Sequence, residues 1–106
     1  MRVWKAVRKL GRGCYASLVT YEHRWVIRYR KGRKVRPRPG SNFLCADRTL
    51  SDAKDLAGAG CVFEGDAEPQ RHVLRGRRGE IIGRRDARWP YGTVFCASIR
   101  IGRRVW

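Results

Sequence analysis

The chain has 106 residues and is 42% hydrophobic, enough to build one core and not two, so a single small domain without a large enclosed active site is expected. Its 25 Lys and Arg stand against 9 Asp and Glu, and the formal net charge of +16 exceeds what solubility needs and attracts polyanions. The charge is uneven: residues 1–40 hold 13 basic groups and one acid, residues 41–70 two and six, residues 71–106 ten and two.

In chain order, "RVWKAVR" alternates, with Val3 and Val7 on one face and Trp4 and Ala6 on the other, and predicts a strand over residues 2–9. "LGRG" ends it in a turn. Alternation resumes over 14–20 and 24–30, where Trp25, Ile27 and Tyr29 oppose Arg24, Arg28 and Arg30, and Glu22-His23 is placed to close a hairpin between the two runs. After Arg30 the segment "RKGRKVRPRPG" carries Gly32, Pro37, Pro39 and Gly40, which do not sustain a central strand; it reads as a flexible basic loop. "SNFLCAD" is extended and apolar. "TLSDAKDLAGAG" is a helix near 50–57, with Thr49 as N-cap, Asp52 three residues on, an apolar stripe of Leu50, Ala53, Leu56 and Ala57, and Gly58 and Gly60 as the stop.

A strand over 61–66, "CVFEGDAE", leads into a second cationic segment, "RHVLRGRRGEIIGRRDARWP", broken by Gly76, Gly79 and Gly83. The last strand, 93–101, puts Thr93, Phe95, Ala97, Ile99 and Ile101 on one face. The expected fold is therefore α+β: a mostly antiparallel β-sheet with one short helix packed on it. Its expected core contains Val7, Leu18, Ile27, Leu56, Val62, Phe63, Phe95 and Ile99.

Cys14, Cys45, Cys61 and Cys96 form no C-x-x-C pair and have only His23 and His72 to assist, so the spacing of a zinc site is absent. They read as small buried hydrophobes, and neither metal nor cofactor is expected. "MRVWKAVRKL" is too charged for a signal segment or a membrane span. A cytoplasmic location with reduced thiols and no membrane association follows as the expectation.

Taken in order, "VWKAVRK", Ser17, "VIRYRKG", "FLCADRTLSDAKDLA", "CVFEGDAE" and "WPYGTVFCASIRIGRRV" resemble a set of small proteins of phage, viral and archaeal genomes. Those proteins share a basic first strand, a strand ending in Glu, and W-P-x-G-T before the final strand. The resemblance spans nearly the whole chain and lies in the order of the motifs. It implies a mixed α+β domain of mobile-element origin and supplies no activity.

For a ribonuclease, Glu22, His23, Glu64 and His72 are the right residue types, but adjacent residues on a strand point to opposite faces and the spacing assembles no pair. Arg8, Ser17 and Glu64 are the types an ADP-ribosyl-transfer site uses, and they are common in any basic β-rich chain. No Walker loop, G-x-G-x-x-G after a strand or H-E-x-x-H occurs. Glu64, on a strand beside Phe63, is positioned to receive an arginine in an ordinary ion pair.

Twenty of the cations are Arg, whose planar fork binds phosphate bidentately and stacks on bases. Trp25, Tyr29, Trp89, Tyr91 and Trp106 lie among them, an interleaving used on single-stranded and structured RNA surfaces. The sequence thus points to a nucleic-acid binder contacting phosphate backbones without strong sequence specificity. The contacting residues expected are Arg28, Arg30, Lys31, Arg33, Lys34, Arg36 and Arg38 from the first segment and Arg75, Arg77, Arg78, Arg84, Arg85 and Arg88 from the second. The alternative is a phage effector that binds and inhibits a host protein or sequesters a small nucleotide. Oligomeric state is not encoded in any motif.

Overall fold

The structure, a computed structural model, describes residues 1–18, 26–85 and 89–106. The Glu22-His23 hairpin, Trp25 and Arg88 lie outside the described residues.

Nine strands and one helix are described: β1 (Arg2–Gly11), β2 (Cys14–Ser17), β3 (Arg28–Tyr29), β4 (Lys34–Val35), β5 (Leu44–Asp47), α1 (Leu50–Ala57), β6 (Cys61–Pro69), β7 (Leu74–Arg75), β8 (Ile81–Ile82) and β9 (Thr93–Arg104). Seven strands share one antiparallel sheet in the order β3-β2-β1-β5-β9-β4, and β6 pairs with both β1 and β9. The circuit β1-β6-β9-β5 thereby returns on itself, and the sheet is barrel-like. The closing seam is thin, because β1 and β5 share only Trp4 opposite Asp47 before β2 takes over the edge of β1 from Val7 onward. Gly65 lets the circuit close: a Cβ there would lie 2.4 Å from the Arg100 carbonyl oxygen on β9.

Alternation on β1 decides what faces inward. Val3 and Val7 enter the barrel interior with Tyr29, Phe63, Cys96, Ile99 and Ile101, whereas Ala6 and half-buried Trp4 face α1 with Ala53, Ala57 and Val62. The helix begins and ends where its residues dictate: the Asp52 amide donates to Thr49 Oγ1 at 3.2 Å, and Gly58 stops it at φ 56°.

Four expectations need correction. Leu56 is 41% exposed rather than core, because α1 rests on its two buried alanines and approaches the strands too closely for the flanking leucine to follow. Leu18 and Ile27 are half-buried at the edges of the core. The first basic segment is not wholly loop: a turn with Gly32 at φ 75° returns the chain, and Lys34 and Val35 pair as an edge strand with Arg100 and Ile99. An edge tolerates the prolines that follow, since no ladder is needed beyond Val35. The second segment likewise folds back as a hairpin, Leu74 opposite Ile82 and Arg75 opposite Ile81, anchored by fully buried Leu74. No helix among the described residues is long and apolar enough to cross a membrane.

Candidate functional site

The two basic segments meet. Asn42, just before β5, donates from Nδ2 to the Val73 carbonyl and accepts at Oδ1 from the Arg75 amide, both at 2.8 Å. Its own carbonyl accepts from Gln70 Nε2 at 2.6 Å, and its amide donates to the Arg75 carbonyl at 3.3 Å. Two residues earlier Gly40, at φ 96°, passes so near residue 77 that a Cβ would lie 2.9 Å from the Arg77 carbonyl oxygen. The end of the first segment is therefore clasped to the β7–β8 hairpin of the second.

The twelve described candidates, Arg28, Arg30, Lys31, Arg33, Lys34, Arg36, Arg38, Arg75, Arg77, Arg78, Arg84 and Arg85, are all exposed. Their engagements differ. Lys34 pairs with Glu68, whose carboxyl this hydrogen bond holds below its ordinary value, with Arg36 adding to the field. Arg38 donates Nε to the Val26 carbonyl at 3.2 Å, and Arg75 reaches the Gly79 carbonyl. Arg84 is a strut: its guanidinium donates to the carbonyls of Gln70 and His72 and lies 5.7 Å from the centre of the Phe95 ring. Phe95, Phe43 and Trp89 meet one another edge to face, with ring centroids 5.2 to 5.8 Å apart. Of the interleaved aromatics, Tyr29 is fully buried and unavailable for stacking, Trp89 is half-buried, and Tyr91 and Trp106 are exposed.

The enzyme candidates do not converge. Glu64 holds Arg2 and, at 3.2 Å, Arg103 in ion pairs. Arg8 and Ser17 are neighbours across β1 and β2, but Glu64 lies opposite Trp4, about 13 Å along β1 from Arg8 at the rise of an extended strand. His72 is exposed, and Glu22 and His23 lie outside the described residues. Among the described residues no three His, Cys, Asp or Glu side chains gather so as to hold a metal. The four thiols are free.

A second constellation was not singled out from the sequence. Lys5 falls between Val3 and Val7 on β1 and therefore points the same way, into the barrel. Its ammonium donates to the Cys45 carbonyl at 2.5 Å, bridging the seam where the β1–β5 ladder stops, and sits 5.5 Å from the centre of the Tyr29 ring. Burial lowers the Lys5 pKa against the pull of Cys45 and Asp47. Burial also pushes the Asp47 carboxyl up to about 6, opposed by Lys5 and helped by Asp52, and the Cys45 and Cys96 thiols up to about 11. Tyr29 is raised by the same cause, and its hydroxyl has no hydrogen-bond partner among the described residues. The signal was present as a lysine at an inward position of an alternating strand. A lysine in a run that also holds Arg2, Arg8 and Lys9 is easily counted with the surface cations.

Among the described residues, the fold and site define a small, strongly basic domain with a barrel-like sheet, one helix, a composite cationic surface and a half-buried lysine at its seam. No protein-family model matches the chain, and neither the curated proteins nor the solved structures contain a match.

Proposed function

We propose that the protein binds nucleic acid by its phosphate backbone, through one surface composed of both Arg-rich segments, and reads little sequence. The observation that carries the reading is the clasp at Asn42 and Gly40, which joins residues 33–38 to the Arg75–Arg78 turn and concentrates exposed cations that would otherwise be scattered. Arginine predominates on that surface, and its fork suits phosphate oxygens. The phage or mobile-element origin implied by the motif order is part of the same proposal, as is a cytoplasmic site of action.

The test is the salt dependence of binding to single-stranded and duplex DNA and RNA. Log affinity against log salt should fall by about 0.7 per phosphate contacted on single strands and about 0.9 on duplex. Neutralising Arg33, Lys34, Arg36 and Arg38 together should weaken all sequences alike and flatten the slope by nearer three such increments than four, because Lys34 already has Glu68. An unchanged slope and affinity would make these cations a solvated face and would favour the host-protein effector instead.

A further inference from the structure

The seam between β1 and β5 opens into a cavity of about 290 Å³ whose lining divides by chemistry. Leu18, Leu56 and Trp89 give it apolar and aromatic walls, and Lys5, Asp47 and Thr93 supply polar groups. Small-molecule sites have this make-up, apolar surfaces with a few placed polar groups, and usually span roughly 300–1,000 Å³. At the bottom of that range the cavity suits one planar ring system better than a nucleotide with its phosphates.

The polar groups specify an edge. An ammonium offers three donors, of which the Cys45 carbonyl takes one. Asp47 accepts when ionised, and among the described residues Lys5 and Asp47 are not joined in a salt bridge. A ligand presenting an acceptor and a donor on one edge, with a flat apolar face, answers both. Nucleobases have that edge, and unpaired bases are recognised by stacking on aromatic side chains with hydrogen bonds to it. One cavity wall is also tied to the basic surface: Trp89 Nε1 donates to the Gly83 carbonyl at 3.0 Å, fixing it to the end of the second Arg-rich segment.

We propose that this cavity receives one unpaired nucleobase of a single strand, held among Trp89, Lys5 and Asp47 while the flanking phosphates lie on the basic surface. The inference rests on the phosphate-binding reading, and the experiment separates the two. A single-stranded oligonucleotide and an abasic strand of equal length, carrying the same phosphates, are titrated into the intact protein. The intact strand should bind roughly 5- to 150-fold tighter, the range one stacked base contributes, with a similar salt slope. Trp89→Leu and Lys5→Met should bring the intact strand down to the abasic level and leave the abasic strand unaffected.

Equal affinity of the two strands for the unmodified protein would overturn the cavity inference while leaving phosphate binding in place, even if free nucleosides bind. If neither strand binds, the phosphate reading fails, and nucleosides titrated against the Leu18, Thr93 and Trp89 indole resonances decide the cavity alone. Shifts confined to those resonances would support a base site, and their absence would overturn it.

Discussion

Lys5 and Asp47 carry a cost that the surrounding apolar barrel does not repay unless the seam has a use. Asp47 is nearly inaccessible, at 3% exposure, and burial displaces its carboxyl from 3.8 to about 6. A raised folded-state pKa means that the native protein binds the proton more tightly than the unfolded chain. Stability relative to Asp47→Asn should therefore be greatest below pH 3.8 and decline as pH rises through about 6, by up to about 3 kcal/mol. Urea unfolding of both proteins across that window checks the sign, and a constant difference would contradict the burial argument. Phe95 and Leu56 make a second contrast. Phe95 is 8% exposed inside an aromatic cluster, so Phe95→Ala should cost about 3–5 kcal/mol, whereas Leu56→Ala, on a rim 41% exposed, should cost less than about 1 kcal/mol.

Among the elements, the β7–β8 hairpin depends most on a single neighbour. Each of its strands is two residues long, and a two-stranded ribbon of that size has little stability of its own. Buried Leu74 and the Asn42 side chain hold it to the barrel. Asn42→Ala leaves the Val73 carbonyl and the Arg75 amide without those partners, and should cost about 1–3 kcal/mol while accelerating hydrogen exchange in residues 73–82 well beyond that in β6. Gly40→Ala should act in the same direction, because residue 40 has both a positive φ and a backbone oxygen where its methyl would go. If exchange in the hairpin stays as slow as in the unmodified protein, the clasp does not join the two basic segments.

At the scale of the whole molecule, charge and topology act together. The sheet closes through β6, so among the described residues the edges that remain belong to short strands, β3 and β4, each flanked by cations. Mutual repulsion among exposed arginines opposes compaction, and screening by salt should relieve it. Thermal stability of the free protein should therefore rise between low and moderate salt while nucleic-acid affinity falls. Melting curves and binding isotherms at matched ionic strengths would show the two trends in opposite directions. Parallel trends would mean that the exposed cations do not govern either property.

Some of this was fixed by local chemistry and legible as residue order. The helix bounds follow from Thr49, Asp52 and Gly58, and the two faces of β1 follow from alternation, because capping and the two-residue period act within a few residues. The exposure of the twelve described cations follows from their charge. Closure of the barrel, the pairing of Lys34 and Val35 with β9, the clasp at Asn42 and the cavity at the seam depend on residues far apart in the chain, such as Asn42 and Val73, Lys34 and Arg100, and Lys5 and Thr93. No local pattern encodes such distances. Lys5 shows the boundary most clearly: alternation alone turned it inward, but only the closed sheet set the Cys45 carbonyl, the Tyr29 ring and Asp47 around it, because burial and pairing of a charge are properties of the assembled interior.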